Sequence, residues 1–186
     1  MKLTLPTIVT LFRIFLIPVF VIVFYLPVSW AYTAAAMVFT LASITDWVDG
    51  YLARVLNQES AFGAFLDPVA DKLMVAVAII LLVEVNPSPL VAIPSIVIIS
   101  REITVSALRE WMAELGSRAT IKVSFIGKAK TTVQLISIIL MIYHQDLFGL
   151  PLYEIGLALY YVAAFLTLYS MIIYLKAAWP VMSSHS

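Results

Sequence analysis

Asp46, Asp49, Arg54, Asp67, Asp71 and Lys72 fall within or at the ends of stretches that are otherwise apolar. Charge in such a setting is costly to keep, so each of these residues is a candidate for function. At 3.6 residues per turn, Asp46 and Asp49 stand ~60° apart around a helix, and Asp67 and Asp71 ~40° apart, so each pair shares a face. Four converging carboxylates repel one another where the dielectric is low, and protons, cationic side chains or metal must neutralise them. Oxygen ligands without His or Cys point to Mg²⁺, Mn²⁺ or Ca²⁺ rather than Zn²⁺. An internal salt-bridge network with Arg54 and Lys72 would answer the same charges.

A second charged set lies further along. Arg101 and Arg109 are eight residues apart, or ~80° around a helix. Arg101 lies eleven residues beyond Leu90, deep enough to need a partner or a polar cavity. Lys128 and Lys130 open the next apolar run. Anchoring at the membrane surface accounts for Lys122, Lys130 and Lys176. Glu102, Glu110 and Glu114 read as partners that orient the cations, Glu84 as an exposed residue at the outer end, and His144 and Asp146 as solvated loop residues.

These charges must be carried on membrane-spanning helices. Of 186 residues, 63% are hydrophobic and only 12% charged, against about 25% charged in a soluble domain. There is too little polar surface for a water-soluble globule, and disorder needs the opposite composition. Eleven basic residues balance eleven acidic ones, so no overall charge favours nucleic acid. The absence of Cys removes disulfides and thiolate metal sites.

From Ile14 to Thr45 no residue is charged, a stretch longer than a signal-peptide core and broken at Leu26-Pro27-Val28-Ser29-Trp30. The pattern predicts an all-α polytopic fold in a single domain over 1–186. It has six transmembrane helices, near 6–26, 30–56, 61–83, 90–115, 124–143 and 153–175, and a polar cavity facing the cytoplasm. Lipid satisfies no backbone polar groups, so long unalternating runs must be helical. Connections near 26–30, 84–90 and 143–153 carry no Lys or Arg, whereas the opposite side is rich in them. The positive-inside rule places that side and both termini in the cytoplasm.

The full string is more specific. Asp46-Trp47-Val48-Asp49-Gly50-Tyr51-Leu52-Ala53-Arg54 is followed, eight residues later, by Gly63-Ala64-Phe65-Leu66-Asp67-Pro68-Val69-Ala70-Asp71. This resembles the D-x-x-D-G-x-x-A-R…G-x-x-x-D-x-x-x-D signature of the CDP-alcohol phosphotransferase family. The likeness extends over nearly the whole chain, through Leu5 to Arg13, Ser100 to Ile103, Ala107 to Gly116 and Gly127 to Thr132. One departure is Thr7, where many members have Asn.

The resemblance implies transfer of a phosphatidyl group from CDP-diacylglycerol to glycerol 3-phosphate, with release of CMP. It assigns Asp46, Asp49 and Asp67 as ligands of Mg²⁺ or Mn²⁺, as two ions, with Asp71 beside them as ligand, general base or both. Thr10, Gly50, Ala53, Arg54 and Gly63 would hold the donor, the small residues leaving room for cytidine and its phosphates. Arg13 would be either a phosphate contact or a snorkelling anchor. Arg101, Arg109 and Lys128 would bind the acceptor phosphate. The family also implies a homodimer in the bacterial cytoplasmic (inner) membrane. Another acceptor (inositol phosphate, serine or a second phospholipid) would suit the same signature. A cation transporter could use the carboxylates, but would not need the Gly-x-x-Ala-Arg face and would usually show repeated halves.

Overall fold

Helix breakers divide the chain. In the computed structural model, which describes residues 5–56, 61–114 and 125–184, six helices follow one another. They are α1 (Leu5–Phe24), α2 (Ala31–Leu56), α3 (Ala61–Val85), α4 (Pro89–Glu114), α5 (Phe125–Tyr143) and α6 (Leu152–Ser184). Pro27 stands in the break between α1 and α2, and Asn86-Pro87-Ser88 separates α3 from α4. The α5–α6 connection is a tight turn in which His144, Phe148 and Gly149 take positive φ (54°, 53° and 76°). An isolated bridge between Leu147 and Leu150 closes that turn. No strand forms among the described residues.

Most helix ends lie within a few residues of the sequence expectation. The exception is α6, which runs on to Ser184 instead of ending near Leu175. Alanines 177 and 178 are strong helix formers, so the helix continues past the point where the apolar run stops. Pro18, Pro68 and Pro94 lie inside helices. Each removes a backbone donor, which membrane helices tolerate because neighbouring groups satisfy the freed carbonyl.

The fold is that of an all-α membrane protein. Among the described residues, three helices are long and apolar enough to cross a membrane, over Thr7–Phe24, Pro89–Met112 and Leu152–Lys176. Shorter apolar stretches occupy Ala31–Thr45 and Ala129–Tyr143. Large side chains point outward along the bundle, among them Phe15, Ile22, Met37, Phe65, Ile80, Ile96 and Phe165. In water this would be an aggregation surface; in a bilayer it is the lipid-facing coat.

Helix α1 packs against α2 and α3, and α6 against α4 and α5. The apolar core lies toward one end of the bundle. Phe20, Phe39, Ile79, Leu82, Ile98, Ile138, Met141, Ile142 and Tyr160 are buried there. Phe20 meets Phe24 and Phe39 with ring centroids 6.0 and 5.9 Å apart. Ser95 and Tyr160 join α4 to α6 through a 2.9 Å hydrogen bond. At Gly156 a Cβ would lie 3.0 Å from Leu140 Cβ and 3.1 Å from the Met141 amide nitrogen, so its absence lets α6 close on α5.

Candidate active site

The other end of the bundle is built from polar side chains. Thr7, Thr10 and Arg13 recur every third residue on α1 and are no more than 1% exposed. The Thr10 hydroxyl donates to Asp67 Oδ1, which ties α1 to α3 at the level of the acidic motif. Burial of Arg13 removes the reading of it as a side chain snorkelling into interfacial water. Gly63 and Ala70, two turns apart on α3, are both buried.

Asp67 and Asp71 are one turn apart and half-buried. Asp67 faces α1 through Thr10, whereas Asp71 lies on the wall of a cavity of about 880 Å³. Beyond their helical backbone, Asp46, Asp49, Gly50, Ala53 and Arg54 on α2 and Lys128 on α5 lie outside the described residues. Among the described residues no three His, Cys, Asp or Glu side chains gather to hold a metal ion. The donors that α3 does present are carboxylate oxygens one turn apart, with a hydroxyl bonded to one of them. That is the hard-oxygen chemistry Mg²⁺ or Mn²⁺ accepts.

The cavity lies between α3, α4, α5 and α6, and its polar wall includes Lys72, Arg101, Arg109, Lys130, Gln134 and Tyr174 as well as Asp71. Arg101 is buried. Its Nη1 donates to Glu102 Oε1 at 2.9 Å and its Nη2 to Ser170 Oγ at 3.2 Å. Lys130 reaches the same Oε1 of Glu102. One carboxylate thus orients two cations from two helices. Asp71 is near enough to act electrostatically on Lys130, so the acidic and basic clusters adjoin. Lys72 donates to Ser106 Oγ, and Ser106 in turn donates to the Glu102 carbonyl at 2.6 Å. Arg109 is more exposed and donates from Nη2 to the Tyr174 hydroxyl at 2.7 Å.

Several of these residues are not what the sequence suggests. Lys130, expected to be a surface anchor, is 4% exposed and paired inside the bundle. Its position near a helix start looks the same in sequence whether it reaches water or a carboxylate. Gln134, Ser170 and Tyr174 carry no charge and gave no signal. The one available cue was spacing, since Lys130 and Gln134, like Ser170 and Tyr174, stand four apart and so share a helix face. Arg118 and Lys122 lie outside the described residues.

A helical membrane bundle that sets the Asp71 carboxylate and several cationic side chains around one cavity is suited to handling phosphate esters. The chain matches the CDP-alcohol phosphatidyltransferase family over residues 3–176 and belongs to it. Among its relatives is the CDP-diacylglycerol–glycerol-3-phosphate 3-phosphatidyltransferase of Shigella flexneri serotype 5b, 52% identical over 178 residues that cover 96% of each chain. The Escherichia coli K12 protein of the same name is equally similar, with 52% identity and 96% of both chains covered.

Proposed function

We infer that this chain transfers the phosphatidyl group of CDP-diacylglycerol to glycerol 3-phosphate, yielding phosphatidylglycerol phosphate and CMP. The observation that carries the reading is the shared cavity, in which Asp71 on α3 and the cations Arg101, Arg109 and Lys130 line one space. Relatives named for this reaction, at 52% identity over nearly the full chain, support it.

The acceptor is an anionic phosphate ester, and Arg101, Arg109 and Lys128 hold it as charge-assisted donors. Its hydroxyl attacks the phosphorus nearer the lipid. A new P–O bond forms there, the pyrophosphate P–O bond breaks, and CMP leaves with the electron pair. Asp71 takes the hydroxyl proton. Thr10, Gly50, Ala53, Arg54 and Gly63 seat the donor, with Arg54 as a guanidinium fork on its phosphates and the small residues leaving room for cytidine. Asp46, Asp49, Asp67 and Asp71 would hold Mg²⁺ or Mn²⁺, as two ions. When bound, the metal offsets negative charge on the pyrophosphate and on the departing CMP. On this reading the chain crosses the bacterial inner membrane six times, keeps the site and both termini on the cytoplasmic side, and works as a homodimer. The distribution of Lys and Arg supports the sidedness.

The test is purified protein with CDP-diacylglycerol and a panel of glycerol 3-phosphate, inositol phosphate and serine, following CMP release with Mg²⁺, with Mn²⁺ and with EDTA. Release that depends on glycerol 3-phosphate and on divalent metal is expected. Release with serine alone would reassign the acceptor, and full activity in EDTA would remove the metal from the mechanism.

A further inference from the structure

Tyr174 lies on α6, one turn beyond Ser170, and both line the cavity. Its ring centroid is 5.2 Å from Arg109 Cζ and 5.9 Å from Arg101 Cζ. Both distances are within reach of a cation–π attraction. Its hydroxyl accepts the 2.7 Å hydrogen bond from Arg109. A single side chain therefore touches both guanidiniums of α4.

The chemistry of those contacts differs between the two arginines. Arg101 is already ion-paired with Glu102 at 2.9 Å. Among the described residues, the hydrogen-bond partner of Arg109 is the neutral hydroxyl of Tyr174. A carboxylate in that place would fix Arg109 but cancel its charge toward an incoming anion. A phenol fixes it and leaves the charge available. The ring beside Arg101 adds attraction without adding negative charge. Arg109 is also the more exposed of the two, so without Tyr174 its long side chain would be free to leave the cavity for water.

We propose that Tyr174 is a positioning residue that sets selectivity for a phosphomonoester acceptor, by holding Arg101 and Arg109 in place while leaving Arg109 charged for the phosphate. This deepens the functional reading above and rests on it.

Two variants separate the parts. Tyr174→Phe keeps the ring and loses the hydroxyl; Tyr174→Leu loses both. With CDP-diacylglycerol saturating, Tyr174→Phe should raise the KM for glycerol 3-phosphate about tenfold, as expected for a lost hydrogen bond to a charged group. Tyr174→Leu should raise it roughly threefold more, through the lost cation–π contact. In both, kcat and the donor KM should stay within about twofold of wild type, the pattern of lost acceptor binding. Inhibition by inorganic phosphate, competing with glycerol 3-phosphate, should weaken in parallel with the KM. A purely structural role would not move that inhibition selectively.

The proposal is overturned if both variants match wild type in acceptor KM and phosphate inhibition. It is equally overturned if kcat and both KM values worsen together. Should Tyr174→Leu fail to fold, Tyr174→Phe alone decides. A wild-type enzyme that does not use glycerol 3-phosphate would overturn the functional reading first, and the control reaction shows this separately.

Discussion

The two ends of the bundle treat polar groups in opposite ways. In the apolar half, the buried hydroxyls of Ser95 and Tyr160 satisfy one another, and Ser95 also donates to the Val91 carbonyl at 2.6 Å. In the polar half, Arg101 Nε and Gln134 Oε1 are buried with no hydrogen-bond partner among the described residues. Leaving such groups unmatched typically costs about 1–3 kcal/mol each. The first half resembles a core completed by its own side chains. The second resembles a surface completed by a ligand, held open within a membrane where an unmatched polar group is most expensive. Stability and function are thus separated along the helix axes, and substitutions at the two ends should fail differently.

The largest contrast should come from the carboxylates. On the proposed mechanism, Asp67→Asn would weaken the metal site and Asp71→Asn would remove the base, so each should lower CMP release by about 10²-fold or more. Thermal unfolding in detergent should change little or improve, because a repelling charge is removed. Activity near wild type for Asp71→Asn with normal donor binding would make Asp71 structural and would blur the division between the two ends.

Next in size is Glu102→Gln. The change leaves Arg101 and Lys130 without their shared carboxylate. Removing one partner of a buried pair costs about 3–5 kcal/mol, and partial exposure of Glu102 brings the expectation to about 2 kcal/mol. The melting temperature should fall and the KM for glycerol 3-phosphate should rise together, because this residue belongs to both fold and site. A loss of activity with no loss of stability would show that the cations find other partners.

These residues also show how far the sequence could be read. The helix boundaries were legible because Pro27, Asn86-Pro87 and Gly149-Leu150-Pro151 mark the chain at its turns. The end of α6 was not, because a helix stops for want of backbone partners, not where apolar residues run out. Asp67, Asp71, Arg101 and Arg109 stood out because charge inside an apolar run has few explanations. Lys130 did not, because a lysine near a helix end has a simple anchoring explanation that only the facing Glu102 excludes. Tyr174 was invisible for a further reason: aromatic residues are common in membrane helices, and what distinguishes this one is two arginines on another helix.

In the apolar half, Gly156→Ala tests packing alone. The new Cβ would come within 3.0 Å of Leu140 Cβ and 3.1 Å of the Met141 amide nitrogen, so α5 and α6 must separate. Overpacking of this kind costs about 1–3 kcal/mol. The melting temperature should drop while the KM values of protein that remains folded stay at wild type. An acceptor KM that rises with this substitution would show that strain passes from the packed half to the cavity.

The smallest effect should come from Tyr25, beyond the end of α1, whose hydroxyl donates to Glu84 at the end of α3. Tyr25 is exposed. The hydrogen bond to the Glu84 carboxylate, helped by its negative charge, raises the Tyr25 pKa above the usual tyrosine value. A phenol with a raised folded-state pKa adds stability while it is protonated, below about pH 10, and loses that contribution as pH rises through the folded-state value. Tyr25→Phe should therefore leave activity unchanged and alter the melting temperature only marginally at neutral pH. Whatever difference from wild type is seen at pH 7 should shrink above about pH 10, as the wild-type phenol ionises beside Glu84. A difference that grows with pH would mean that the contact is not what raises the pKa. A loss of CMP release would mean that this rim of the bundle communicates with the cavity at the opposite end, against the separation of the two halves.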